Sequence, residues 1–185
     1  RTPRVEALDG TAEALPLPDH SADAAVAAQA FHWVDAPVAL AELHRVLRPG
    51  GALALVWNVR DESVDGVRRF GELLGAAGAD DPASAEFQET GKPYEEGTDW
   101  VAVIADAGGF TPVRREVVRW EQPIDADLLV RRAASTSFVS ALPDDARADA
   151  LDRIRDLAAS HPDLAGRDSF GFPHETVVYW CHSTD

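Results

Sequence analysis

The chain has 185 residues, a length that fits one globular domain with a sizeable core. Its 32 acidic and 17 basic residues give a formal net charge of −15, which disfavours binding to a nucleic-acid backbone or an anionic membrane surface. Cys181 is the single cysteine, so an internal disulfide is excluded. No apolar run approaches the ~20 residues of a membrane span. We therefore expect a cytoplasmic protein.

Apolar periodicity predicts alternating strands and helices along the chain. Runs of small, β-branched and aromatic residues indicate strands, and leucines spaced by three or four residues indicate helices. The run 52–57 has no polar interruption, which is typical of a strand covered on both faces. The predicted strands are residues 5–8, 24–28, 52–57, 110–120 and 176–181.

Capping residues mark the predicted helices. Asp35 is a good N-cap for a helix that Pro49, Gly50 and Gly51 would stop. Further helices are predicted through residues 67–74, after Thr98 or Asp99, from Asp125 to Phe138, and from Pro143 onward. The polar, proline-punctuated segment 79–97 is predicted to be a lid or a long surface connection.

The order of these elements predicts an α/β fold in a single domain, residues 1–185. The strand at 24–28, the helix after Asp35 and the strand at 52–57 constitute a βαβ unit. Right-handed crossover makes such a unit part of a doubly wound sheet.

Three segments resemble the middle of a class I S-adenosylmethionine-dependent methyltransferase. They are residues 10–16, 23–33 and 47–51, and they occur in that family's order. The Phe31-His32-Trp33 tripeptide, together with Trp57 and Asn58, is similar to the type 11, trans-aconitate-methyltransferase-like branch, which acts on small molecules. The Gly-x-Gly turn that holds the cofactor in this family does not occur in the sequence. The resemblance therefore implies a partial Rossmann-like sheet without its first two strand-helix units.

The resemblance also implies where S-adenosylmethionine would bind. Thr11, Ala12 and Glu13 occupy the turn that meets the adenine in the family, and the backbone of Ala28 and Gln29 would face the methionine end. Both segments follow predicted strand ends, where ligands bind in open α/β sheets. Glu13 has a second interpretation, as a residue that caps a turn.

The residues expected to contact the methyl acceptor lie directly after the strand at 24–28. His32 is interpreted either as a general base or substrate-orienting residue, or as a polar loop residue packed beside Trp33. Phe31, Trp33 and Trp57 are candidates for pocket walls, and core packing explains each of them equally well. The six histidines and Cys181 lack metal-ligand spacing, so no metal site is predicted.

These observations lead to two functional hypotheses. The first is methyl transfer from S-adenosylmethionine to a carboxylate or hydroxyl of a small molecule by the complete protein, with the chain by itself expected to be inactive. The alternative is a naturally shortened, cofactor-free binding or scaffold module, or a partner subunit, derived from a methyltransferase. Under the first hypothesis residues 5–8 are expected to be detached from the sheet, poorly ordered or paired with a neighbour foreign to the family, and an exposed edge at 24–28 is expected to favour self-association.

Overall fold

A computed structural model describes residues 5–77 and 98–185 and shows a mixed α/β fold, which confirms the predicted class. The predicted lid or connection at 79–97 lies outside the described residues. No helix in the described ranges is long and apolar enough to cross a membrane. The helices and strands are β1 (Ala22–Ala28), α1 (Ala36–Val46), β2 (Leu47–Arg60), α2 (Asp65–Ala77), α3 (Trp100–Ala107), β3 (Arg114–Ile124), α4 (Ala126–Ala134), α5 (Ser137–Ser140), α6 (Asp144–Ser160) and β4 (Phe170–His182).

Four strands form one sheet in the order β1-β2-β4-β3. β1 and β2 are parallel, with Ala24 opposite Ala52, so β1, α1 and β2 form the predicted βαβ unit. β4 runs antiparallel to β2. The N–H of Gly50 donates to the carbonyl of Ser183 at 2.8 Å, near the end of β4, whereas the N–H of Asp61 donates to the carbonyl of Pro173 at 3.1 Å, near its beginning.

The strand predicted at residues 5–8 is wrong. These residues have no regular secondary structure, and Val5 exposes 90% of its surface. β1 lies at the edge of the sheet with β2 as its paired strand, and residues 5–8 do not extend the sheet at that edge. Their detachment from the sheet agrees with the expectation drawn from the family resemblance.

Two predicted helix ends are also wrong. α1 ends at Val46 and not at the Pro-Gly-Gly turn, because Leu47 is extended and pairs with Ala22 of β1. α4 ends at Ala134 and does not reach Phe138. The hydroxyl of Ser135 donates to the carbonyl of Arg132 at 2.8 Å, a local bond of the kind that competes with helix continuation.

Aspartate side chains cap three of the helices. The sequence predicts Asp35 and Asp125 in these positions, and of Thr98 and Asp99 the structure selects Asp99. Each accepts a hydrogen bond from the backbone N–H three residues later, which satisfies a donor that the first helical turn leaves open. Asp35 caps α1 at 3.3 Å, Asp99 caps α3 at 3.1 Å and Asp125 caps α4 at 2.6 Å.

The chain divides into two compact units, and the division falls within β2, β3 and β4. The first unit comprises Arg1–Trp57, Thr98–Val117 and Val177–Asp185, and the second comprises Asn58–Gly97 and Val118–Thr176. In the first unit α1 packs against α3. In the second, α2, α4 and α6 enclose a core with Phe70, Leu129, Ile154 and Phe172 near its centre.

Candidate functional site

The backbone turns sharply where β1 ends. Gln29 has φ 55°, a left-handed conformation that costs a non-glycine residue about 1–2 kcal/mol. Its N–H donates to the carbonyl of Val56 at 2.9 Å, which extends the parallel pairing of β1 and β2 by one residue. A short 3₁₀ turn, Phe31–Trp33, follows directly. A strained residue and three aromatic or imidazole side chains are thus held at the carboxyl end of β1.

His32 forms a hydrogen bond that defines its tautomer. The indole Nε1–H of Trp57 donates to His32 Nδ1 at 3.2 Å. An indole nitrogen is only a donor, so Nδ1 carries the lone pair and Nε2 carries the proton of the neutral imidazole. The ring also lies 4.8 Å from that of Trp33, centroid to centroid. In this arrangement the proton of the neutral His32 ring lies on Nε2, whereas a base acting through Nε2 requires the other tautomer.

The predicted wall residues differ in burial. Trp57 and Phe31 are each 2% exposed, whereas Trp33 is 67% exposed. Trp57 stacks on Trp100 with ring centroids 5.0 Å apart, and Phe31 meets Trp100 edge-on at 5.7 Å. Tyr179 closes the cluster from β4, 6.1 Å from Trp57. The sequence analysis did not select Trp100 or Tyr179, although each lies on the apolar face of a predicted element.

The predicted adenine turn is tied to the start of α1. The N–H of Ala14 donates to the carbonyl of Thr11 at 3.2 Å, and Ala12 and Glu13 lie half-buried between them. Glu13 Oε1 accepts the N–H of Asp35 at 3.0 Å. This bond, with further bonds from the Glu13 backbone and the Thr11 hydroxyl, lowers the pKa of Glu13. The Glu13 carboxylate is therefore an ionised hydrogen-bond acceptor, and its bond to Asp35 stabilises the turn.

An ion pair on α1 holds the extended segment that follows this turn. Glu42 Oε1 accepts the N–H of Leu15 at 2.7 Å, and Arg45 donates to the carbonyls of Leu15 and Leu17 at 3.2 and 3.0 Å. The bond from Arg45, and then that from the Leu15 N–H, lower the pKa of Glu42 to about 2. The sequence analysis missed both residues. Their spacing of three on a helix, opposite in charge, was the available signal.

The structure places every predicted site residue in the first unit. His32 and Trp57 are in direct contact. Phe31 and Trp57 both pack against Trp100, and Gln29 is hydrogen-bonded to the strand that contains Trp57.

Burial raises the pKa of Cys181 to about 11, so this thiol stays protonated at neutral pH. Within the described part of the chain, no three His, Cys, Asp or Glu side chains are arranged to hold a metal ion.

Comparison with known proteins shows similarity to methyltransferases. Residues 1–55 match the family model of the methyltransferase domain. An uncharacterized methyltransferase of Mycobacterium tuberculosis is 41% identical over 175 residues, which are 95% of this chain and 64% of that protein. A type II methyltransferase structure from Anaeromyxobacter dehalogenans aligns with 100% of this chain and 73% of its own, with a TM-score of 0.65 and 24% identity. In sequence and fold, this chain is similar to the class I methyltransferases.

Relatives in this family extend beyond the aligned region. The chain spans 64% of the length of the M. tuberculosis methyltransferase, slightly less than two thirds. A malonyl-[acyl-carrier protein] O-methyltransferase of Dechloromonas aromatica is 52% identical over 46 residues, which are 25% of this chain and 18% of that protein.

Proposed function

We propose that the complete protein transfers a methyl group from S-adenosylmethionine to an oxygen of a small molecule, and that the acceptor is a carboxylate. The observation that carries the proposal is the hydrogen bond between Trp57 and His32, beside the strained Gln29 turn. This position is the carboxyl end of β1, and ligands of open α/β sheets bind at such strand ends.

The residues of the first unit suit the adenosine end of the cofactor. Glu13 is an ionised acceptor for an amino or hydroxyl group, and Ala28 and Gln29 are exposed where β1 ends. The methionine carboxylate requires N–H donors of the kind that a glycine-rich turn supplies, and the 185 residues contain no Gly-x-Gly. When bound, the cofactor supplies an electrophilic methyl group. We expect the chain by itself to hold that cofactor weakly.

The tautomer of His32 favours a carboxylate over a hydroxyl acceptor. An N–H group at Nε2 donates to an acceptor oxygen and orients it, but it does not remove a proton. A carboxylate is already ionised near neutral pH, so alignment is the main requirement, and alignment contributes up to about 7–11 kcal/mol in favourable cases. The name of the D. aromatica relative, an O-methyltransferase, supports an oxygen acceptor.

Transfer of labelled methyl groups tests this proposal. The complete protein is incubated with labelled S-adenosylmethionine and matched panels of small carboxylic acids and alcohols. We expect carboxylates to be methylated, and His32→Ala to lower turnover on the order of 10²-fold, the loss typical of a misplaced reacting group, with little change in cofactor affinity. His32→Gln, which keeps an N–H donor, should recover part of the lost turnover. Methylation of alcohols alone, or no rescue by glutamine, would contradict the positioning role of His32.

Calorimetric titration of the 185-residue chain tests whether these residues contain only part of the cofactor site. We expect the dissociation constant for S-adenosylmethionine to be much larger than 1 μM. A constant of 1 μM corresponds to a binding free energy of about −8 kcal/mol. Micromolar binding would show that these residues already contain the whole cofactor site.

A further inference from the structure

Two stacked indole rings in the first unit differ in their hydrogen bonding. Trp57 and Trp100 lie with ring centroids 5.0 Å apart and ring planes inclined by 19°. Trp57 donates its Nε1–H to His32, whereas Nε1 of Trp100 is buried and has no hydrogen-bond partner in the described part of the chain. A buried N–H group without a partner is unfavourable, so hydrogen bonding does not explain Trp100 at this position. Its contribution is therefore that of its ring surface.

Trp100 contacts both residues that determine the orientation of His32. Its ring stacks on that of Trp57, the hydrogen-bond donor to His32. Phe31, which precedes His32 in the 3₁₀ turn, meets the same ring edge-on at 5.7 Å and 71°. The exposed fractions are 2% for Phe31 and Trp57 and 4% for Trp100. In so closely packed a cluster the indole of Trp57 has few alternative orientations.

The helix α3 fixes the position of Trp100. Trp100 is its first residue, and the N-cap Asp99 accepts the N–H of Ala102 at 3.1 Å. One turn further on, Ile104 lies on the same face of α3 and is fully buried. α3 packs against α1, the helix that follows the 3₁₀ turn. The helix that carries Trp100 is thus anchored independently of its contact with Trp57.

We propose that Trp100 is a positioning residue for methyl transfer and that it acts on His32 through Trp57 and Phe31. Its ring holds the Trp57 indole in the orientation in which Nε1–H meets His32 Nδ1, and the proton of the neutral imidazole then lies on Nε2. All four residues belong to the first unit. The role in catalysis rests on the proposed function, whereas the restraint on His32 does not.

Exchange of the Trp57 indole proton with solvent measures this restraint without any methyl transfer. In the ¹⁵N-labelled 185-residue chain, the indole N–H resonance that disappears in Trp57→Phe belongs to Trp57. Trp100→Met fills the space with an apolar side chain that has no ring, and the Trp57 proton should exchange at least about tenfold faster. Trp100→Phe keeps a ring face, so its rate should stay within about threefold of the wild-type rate.

Ile104→Ala is the matched control for a loss of packing in α3. It removes buried apolar volume one turn from Trp100 but leaves the stacked rings unchanged in composition. The Trp57 proton should then exchange within about threefold of the wild-type rate, because local opening of the stack governs it. Equal acceleration by Ile104→Ala and Trp100→Met would overturn the proposal. Loss of protection in folded Trp100→Phe would also overturn it, and this variant decides the question even if Trp100→Met does not fold.

Turnover of the complete protein tests the connection to chemistry. Trp100→Met should lower turnover about tenfold, less than His32→Ala, with little change in cofactor affinity. In the His32→Ala background the same substitution should have no further effect, because no imidazole remains to be oriented. A further tenfold loss in that background, on the order of a full independent contribution, would overturn the action through His32. Absence of methyl transfer by the wild type would refute the proposed function, and the exchange rates would still decide whether Trp100 restrains His32.

Discussion

At the scale of single residues, two hydrogen-bonded pairs organise the first unit. Trp57 determines which nitrogen of His32 carries the proton, and this decides which chemistry the imidazole can support. Arg45 and Glu42 hold the extended segment after the predicted adenine turn through its backbone groups. Both pairs connect parts of the chain that lie far apart in sequence.

Removal of the indole donor should weaken the first pair. Trp57→Phe keeps an aromatic ring but loses Nε1–H, so we expect the free energy of unfolding to fall by at least about 1 kcal/mol. Trp33→Phe is the matched control, and its exposed ring should cost no more than about 0.5 kcal/mol. Urea denaturation measures both. In a double-mutant cycle with His32→Ala, Trp57→Phe should cost less than in the wild type, and a coupling energy of zero would refute the bond.

The second pair should appear in the acid dependence of stability. The pKa of Glu42 is about 2 in the folded chain against an ordinary 4.5, so its contribution is present above pH 4.5 and is lost as the pH falls toward 2. Glu42→Gln should therefore flatten the decline of unfolding free energy over this interval, as measured by urea denaturation at several pH values. Asp23→Asn, at the exposed ion pair with Arg48, should keep the wild-type slope. An equally steep decline in Glu42→Gln would contradict this explanation.

At the scale of elements, the connection between α3 and β3 depends on a close approach to α1. Gly109 has φ +75°, and a Cβ at this position would lie 2.5 Å from the ring of His44. The carbonyl of Gly109 accepts the N–H of Thr184 at 2.9 Å, so the connection is also tied to the end of the chain. The Gly108-Gly109 pair in the sequence predicts a turn. The imidazole of His44 faces this turn only because α1 packs against it.

Substitution of this glycine separates backbone strain from crowding. Gly50 has a nearly identical φ of +76° but open space around it, so Gly50→Ala should cost about 1–2 kcal/mol from the backbone alone. Gly109→Ala should cost a further 1–3 kcal/mol or so, because its methyl group meets His44. Urea denaturation of the two variants gives the comparison. Equal losses would show that the His44 ring moves aside without cost.

At the scale of the whole molecule, the two edges of the sheet differ in character. β1 lies at one edge, with small apolar residues and a 68% exposed Val26. β3 lies at the other edge and carries five charged residues, Arg114, Arg115, Glu116, Arg119 and Glu121, and edge strands with charged side chains resist pairing with other chains. We therefore expect β1, and not β3, to mediate self-association.

Sedimentation velocity over a range of concentrations tests this expectation. The 185-residue chain should self-associate, and Val26→Lys should shift it toward the monomer. Val118→Lys places the same charge at a 57% exposed position of β3 and should leave association unchanged. A monomeric wild type, or equal effects of the two lysines, would exclude β1 as the interface.

The sequence by itself determined the α/β class, the βαβ unit and the aspartate caps of α1 and α4. Each depends on residues within one element or on its immediate flanks, and apolar periodicity and capping record such short-range preferences. The same reasoning failed for residues 5–8, because a strand exists only if another strand pairs with it. Local pattern contains no information about that partner.

Only the tertiary structure decided that β4 lies between β2 and β3 and that Trp57 donates to His32. The sequence marked His32 and Trp57 as candidates but not their contact. These features join side chains from elements that are distant along the chain. The packing of the elements brings them together, and no periodicity or cap within a single element encodes that arrangement.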